Sequence, residues 1–391
     1  FSYHINVKSR SRFVLDSIIG LTDNLLLIVP PFINSLFSAI VILMERFRRG
    51  LLTHITLLTL ESLNDLRRDV ISRYNSILFV DPPTVVRLNE LINSLNGKRV
   101  FMIGKEGIEW INTDAYLEFT DSMPQLIWQL LNNELSQDSL RFLEAAITYE
   151  FSVIPNYNVS SFNGWLTTEL INYPALPGIL RLSLSASLSR AFSPIIPGIT
   201  GNESEARSLV KAIAKKVDVQ YSELNEDEVM ALLKYISDFM LRAGFRGDYL
   251  DKLVFMHRKW NNNDIDVLES ILVVESQLVL WEYIGGLLNP ILNPQSIKET
   301  NGMITKYITV INELMNQLNR DNIVIRQGYQ PLTLIDRLCS IINFQAENKN
   351  RSFSIGNEPM QITCAFNEDI TDADLVFKRN NYSIVIRGLR Q

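Results

Sequence analysis

A run with almost no charge, Leu25 to Arg49 (LLLIVPPFINSLFSAIVILMERFRR), constrains this chain more than any other stretch. From Leu25 to Met44 the only polar side chains are Asn34, Ser35 and Ser38, so the segment must be buried on nearly every side or lie in lipid. Pro31 suits the first turn of a helix: its ring presets φ, and the N–H it lacks would have no intrahelical partner there. Gly50 supplies the left-handed residue past the end. The pattern predicts one buried helix from Pro31 to Arg49, with Arg46, Arg48 and Arg49 favouring its negative C-terminal end. A bilayer-spanning helix is the rival reading. Pro30-Pro31 interrupts that span and leaves 13 residues between Pro31 and Glu45, which is the length of a core helix.

At 391 residues the chain exceeds the size at which one hydrophobic core keeps growing, so two lobes are expected. A hydrophobic content of 47% against 20% charged residues, with mean hydropathy +0.07, is apolar for a monomer and implies surface hidden in an assembly. The 37 basic and 43 acidic residues give −6, which provides no global field for nucleic acid or anionic lipid. Two cysteines, Cys339 and Cys364, and three histidines, His4, His54 and His257, cannot build a disulfide framework or a local Cys/His zinc cluster. A reducing intracellular compartment fits this usage. The start, FSYHINVKSRSRF, lacks the apolar core of a signal peptide, and its Lys8, Arg10 and Arg12 form a short basic arm.

Along the chain, Ile55 to Ile77 has the spacing of an amphipathic helix covering the buried one. Asp81-Pro82-Pro83 opens a further helix that Gly97 closes. Val100 to Ile103 and Ile108 to Ile111 flank Gly104-Lys105-Glu106-Gly107 and read as a small β-hairpin. Ser122 and Ser136 cap the next two helices. Five of the 14 prolines fall between Pro155 and Gly201, marking a boundary. Leu180 to Leu188 is a strand or a Ser-rich helix, which periodicity does not decide. Helices are then expected from Asn202, Asn225, Asp248 to Trp260, Asp264 to Tyr283, after Asn289-Pro290, and from Pro331. Two hairpins, or one small sheet, occupy Ser352 to Ile386.

No Walker loop, G-x-G-x-x-G, H-E-x-x-H, G-x-S-x-G or C-x-x-C occurs. Lys105 follows a glycine but is followed by Glu106, so a hairpin turn replaces the phosphate-loop reading. Cys339 and Cys364 sit on apolar elements and read as packing residues. Asp264 and Asp266 lack the glycine and distal glutamate of a calcium loop. Basic pairs remain as nucleic-acid candidates: Arg46/Arg48/Arg49, Arg67/Arg68, Lys98/Arg99, Lys215/Lys216 and Arg258/Lys259. His257 and Trp260 flank the last of these, and Trp260 or Tyr74 would stack on a base.

The expected fold is mainly α (α+β). A helical lobe over 1–155 holds the buried helix 31–49, a proline-rich connector covers 156–201, and a second helical lobe over 202–391 ends in β-hairpins. The abundance of Asn, Ile and Leu resembles shell and nucleocapsid proteins of RNA viruses. With no catalytic signature, the expected function is a non-enzymatic, self-assembling viral capsid subunit, located in the virion or host cytoplasm and not secreted. The alternative is an RNA-binding nucleoprotein with contacts at His257, Arg258, Lys259, Trp260, Lys98 and Arg99; a membrane-associated helical protein is the lesser alternative. Expected partners are copies of itself, other virion proteins and RNA, with no membrane. No cofactor, metal or catalytic residue is assigned.

Overall fold

The structure, a computed structural model, describes residues 7–63, 66–105, 107–254, 256–347, 349–366 and 370–389. It is an α/β protein, and this corrects the mainly helical expectation. The chain forms two compact units, one of Phe1–Ile147 with Ser352–Gln391, the other of Thr148–Arg351.

The first unit is organised by a parallel sheet. After a first helix, α1 (Val7–Ile19), come its strands β1 (Leu25–Val29), β2 (Thr53–Leu57), β3 (Ser76–Val80), β5 (Arg99–Lys105) and β6 (Ala115–Phe119), in the order β2-β1-β3-β5-β6. Every pairing between neighbours is parallel. A parallel sheet is covered on both faces, so its strands read as continuous apolar runs without alternation. LLLIV and SILFV are such runs, and every residue of β1 and β3 is buried. Each buried Leu, Ile, Val or Phe contributes about 1.5–3 kcal/mol of transfer free energy.

The long apolar run is therefore two elements. Pro30 forces extended backbone on Val29 and ends β1. Helix α2 (Ile33–Arg48) follows, packed on β1, β2 and β3 and on α4 (Met123–Leu131). The expected Ile55–Ile77 helix is replaced by β2, a π-helical turn at Leu66–Val70, a 3-10 turn at Ile71–Arg73 and β3. The helix expected from Pro82 shrinks to α3 (Asn89–Ser94), preceded by a short strand, β4 (Val85–Val86). The expected hairpin near Val100 is also corrected. β5 pairs in parallel with β3 and β6, and 107–114 connects to β6 without a strand. Glu106 of the expected turn lies outside the described residues. Beyond α4, Ser136 precedes α5 (Gln137–Val153).

A second sheet of this unit places β4, β12 (Leu375–Lys378), β13 (Ser383–Arg387), β11 (Gln361–Ala365) and β10 (Arg351–Ile355) side by side in that order. The β12–β13 hairpin and the β11–β13 and β4–β12 pairs are antiparallel. Because Val85 faces Val376 and Thr84 N–H donates to Val376 O at 2.7 Å, the chain after β12 is carried back toward residue 81. The turn after β12 is thereby brought onto the edge of the parallel sheet.

The second unit is helical, with a small antiparallel pair, β7 (Thr168–Leu170) and β8 (Arg258–Trp260), and one further strand, β9 (Asn322–Ile325). Caps place several of its helices where the sequence expected them. Asn202 accepts from Glu205 N–H and starts α7 (Glu203–Ala214), and Asn225 with Glu228 makes a capping box on α8 (Glu226–Arg242). The Leu180–Leu188 segment forms a short helix, α6 (Leu184–Ser189). The expected helix from Asp248 to Trp260 ends at Val254, in α9 (Gly247–Val254), and 258–260 is strand β8. The central helix, α10 (Val267–Leu280), is buried at every position, packed on α11 (Asn289–Leu292), α12 (Asn301–Met315), α13 (Pro331–Ile342) and β8. Among the described residues no helix is long and apolar enough to cross a membrane.

Candidate functional site

The order β2-β1-β3-β5-β6 reverses at β1: one connection leaves it toward β2, and the chain then returns to its other side as β3. In open α/β sheets this reversal opens a crevice at the carboxyl ends of the strands, where ligands bind. Here the crevice floor is built from the residues that follow β1, β3 and β5. Phe32, Asn34 and Ser35 lie at the start of α2, Asp81 follows β3, and Lys105 ends β5.

Asp81 sits at φ +51°, a left-handed conformation uncommon for a residue with a Cβ, with its N–H donating to Ile103 O at 2.7 Å. Its carboxylate accepts from Ser35 Oγ at 2.5 Å and from Arg379 Nη1 at 3.1 Å. Arg379 Nη2 donates to Asn34 Oδ1 at 2.8 Å, and the guanidinium lies 4.3 Å from the Phe32 ring centre. Asp81 is 5% exposed and Arg379 8%. Beside them, Lys105 Nζ donates to Asn380 Oδ1 at 3.1 Å, and Asn380 Nδ2 donates to Asp121 O at 3.2 Å. Arg379 and Asn380 form the turn of the β12–β13 hairpin, closed by Arg379 N–H on Tyr382 O.

Arg379 and Lys105 bring a guanidinium and an ammonium to this floor and Asp81 a carboxylate, next to the start of α2, whose N-cap Phe32 offers no side-chain acceptor. The dipole at a helix N-terminus favours negative charge there. Such a floor suits an anion, above all a phosphate group. It does not fit a divalent metal. Asp81 is already held by a cation and a hydroxyl. Among the described residues no group of three or more His, Cys, Asp or Glu could hold a metal ion.

The residues singled out from sequence lie elsewhere. In β8, Arg258 is buried over the Trp165 ring at 3.9 Å and donates to Thr168 Oγ1 and Thr168 O at 2.8 and 3.0 Å. Lys259 pairs with Glu169 at 2.7 Å. Trp260 is 1% exposed and gives its indole N–H to Ser270, so it presents no face to a base. Lys98 donates to Ser72 O, and Arg99 pairs with Asp23 at 2.9 Å, both at the end of β5 opposite Lys105. Arg46 is fully buried. His4 and the side chains of Lys8, Arg67 and Arg68 lie outside the described residues. Neither Cys339 nor Cys364 is a free thiol, so neither is available as a nucleophile.

His257 is buried too, with neither ring nitrogen hydrogen-bonded and Nε2 3.6 Å from Asp266 Oδ1. Asp266 caps α10, accepting from Glu269 N–H and Gly178 N–H at 2.7 Å each. Glu269 is held by Arg181, with Arg190 3.9 Å away. Burial, and then the charge of Asp266, push the Glu269 carboxyl up to about 7, against the pull of Arg181. The folded protein therefore keeps a proton that the unfolded chain releases near its ordinary value of 4.5. Stability should fall as pH rises from about 5 to about 8, by on the order of 2–3 kcal/mol from this group. Denaturation curves at several pH values check this. Glu269→Gln should flatten the slope, and an unchanged slope would assign it to other groups.

Sequence reasoning misses Asp81, Arg379, Asn380 and Lys105 as a site. The available signal is an acid directly after a short, wholly apolar run, which is where the carboxyl end of a buried strand presents a side chain. Reading Asp81-Pro82-Pro83 as a helix start hides it.

No family model matches this sequence, and no curated protein matches it. Among solved structures it is similar to CDC45 from Entamoeba histolytica, at a TM-score of 0.61 and 9% identity over 97% of this chain and 95% of that one. It also matches RecJ from Thermus thermophilus in complex with Mn2+, at a TM-score of 0.43 and 10% identity over 98% of this chain and 52% of that one. An exonuclease RecJ bound to manganese matches at a TM-score of 0.44 and 9% identity, over 97% and 89%. The likeness to CDC45 is one of fold along nearly the whole of both chains. It overturns the capsid reading and its nucleoprotein and membrane alternatives, which rested on composition, short basic clusters and the absence of catalytic motifs. The expectations of a virion location and of a non-enzymatic chain are corrected with them, since both derived from the shell reading.

Proposed function

We propose that this chain is a DNA replication or repair protein that engages a DNA phosphate at the carboxyl edge of its parallel sheet. The observation that carries the reading is the shared fold with CDC45, a DNA replication protein, over almost the full length of both chains. The crevice chemistry supports it, because Lys105, Arg379 and the start of α2 stand where the fold presents ligands. Lys105 is the group best placed to meet a phosphate. It bonds to the exposed Asn380, whereas Arg379 is committed to Asp81 and Asn34.

Titration of a single-stranded oligonucleotide at two ionic strengths tests this. Lys105→Ala should weaken binding about tenfold and lower the salt dependence by about one phosphate contact. Lys298→Ala, which removes an exposed lysine paired with Asp264 in the other unit, should leave affinity unchanged. Equal affinities for the Lys105→Ala variant and the parent chain would remove the crevice from the proposal.

A further inference from the structure

Helix α8 is held to the rest of its unit by a narrow stripe. Of its 17 residues only Leu232, Ile236 and Met240 are buried, along a single line, where the helix packs on α7 and α9. Large apolar side chains on its other sides stay in solvent: Met230 is 71% exposed, Leu241 55%, Tyr235 48% and Phe239 37%. The helical repeat sets Met230 and Leu241 on a different side from the two aromatics. Tyr235 and Phe239, four residues apart, are neighbours, and they belong to a row that begins at Glu228 and Ala231 and ends at Arg242. That row is self-complementary. Its steps are three, four, four and three residues, the same from either end, with Tyr235 at the centre. A two-fold axis beside Tyr235 lays a second, antiparallel α8 across the first. Tyr235 then meets its own copy, the small Ala231 lies opposite the large Phe239, and Glu228 lies opposite Arg242 at both ends, as an isologous contact requires. One Glu228 oxygen accepts from Asn225 N–H at 2.9 Å in the capping box, which leaves the other for a guanidinium, and Arg242 is exposed.

We propose that this chain forms a two-fold dimer through α8, the row of Glu228, Ala231, Tyr235, Phe239 and Arg242 in each copy packing on the same row of the other. The aromatic side chains supply the apolar area, and their burial accounts for part of the surface that a 47% hydrophobic chain is expected to hide in an assembly. The terminal charges fix the direction. A parallel pairing sets Glu228 against Glu228 and Arg242 against Arg242, whereas the antiparallel one sets each against its opposite. One helix face from each copy is a small interface, so the dissociation constant should be on the order of 10–100 µM.

Sedimentation equilibrium of the full chain, carried to concentrations well above that value, tests this, with circular dichroism confirming that each variant is folded. Tyr235→Glu places two carboxylates at the two-fold axis and should abolish association. Glu228→Arg and Arg242→Glu, each alone, set like charges against each other and should weaken the homodimer roughly tenfold. Mixed in equal amounts, these two variants should form a heterodimer about as tight as the parent dimer, because every opposed pair is again Arg with Glu. Recovery on mixing also separates charge pairing from any loss of the helix cap at Glu228. Met230→Ser, off the row, should leave the dimer unchanged. A monomeric parent chain overturns the proposal, as does a dimer indifferent to Tyr235→Glu or one that Met230→Ser weakens as much. A mixture that associates no better than its two components overturns the antiparallel register, and the proposed dimer with it.

Discussion

Arg46→Met should destabilise the first unit by roughly 3–5 kcal/mol, a large fraction of the 5–15 kcal/mol that holds a typical domain folded. Arg46 has no solvent exposure and spends its guanidinium on the backbone of the segment joining α1 to β1. Nη1 donates to Ile18 O at 2.9 Å, Leu21 O at 2.8 Å and Ile19 O at 3.3 Å, Nη2 to Asp23 O at 3.1 Å, and Nε to Thr53 Oγ1 at 2.7 Å. The stem fills a buried position, which Met would fill almost as well, so the loss comes from the orphaned carbonyls. Each buried acceptor left unsatisfied costs about 1–3 kcal/mol, and those near Leu21 and Asp23, only partly buried, recover some of this from water. Arg46→Lys should not rescue it, since one ammonium cannot reach acceptors spread from Ile18 to Asp23 and on to the start of β2. Urea denaturation followed by far-ultraviolet circular dichroism gives the number. A shift below about 1 kcal/mol would mean the segment 18–23 holds itself.

Arg46 also shows where sequence reading stops. Its position near the end of a buried helix is legible from the apolar period, but a cation there defaults to the helix dipole or to solvent, and only the loop folding back over it makes it a core residue. The strands are misread for a related reason. β1, β3 and β5 are apolar without alternation, and Pro30-Pro31 and Pro82-Pro83 permit a helix start as readily as a strand end. Taking them as helix starts turns an α/β chain into a mainly α one. Where local chemistry decides, sequence and structure agree: Ser122 accepts from Gln125 N–H, Ser136 from Ser139 N–H, and Asn225 pairs with Glu228, each at a helix start as expected. The crevice has no such local signature. Arg379 meets Asp81 across 298 positions of sequence, and the β4–β12 pairing brings them together.

The second large effect lies inside the other unit, where Glu275 of α10 and Arg337 of α13 form a pair with 1% side-chain exposure on either side. The contact is two-pronged, Nη2 to Oε2 at 2.9 Å and Nε to Oε1 at 3.1 Å, and the guanidinium lies within 5.3 Å of the Tyr149 ring centre and 4.9 Å of that of Phe192. Burial drives the Glu275 carboxyl upward, and Arg337 opposes that. Arg337→Met leaves this carboxylate in the core without its cation, at a cost of roughly 3–5 kcal/mol, whereas removing both charges in Glu275→Leu/Arg337→Met should recover most of that loss. The two substitutions should therefore be strongly non-additive, with a coupling of about 2–3 kcal/mol in a double-mutant cycle. Additive losses would show that packing, not charge pairing, sets the energetics of this core. pH separates the two accounts independently. The Arg337→Met variant should regain stability on acidification, as the unpaired Glu275 takes up a proton that the unfolded chain binds less tightly, and the double variant, with no carboxyl at 275, should lack that component of the response.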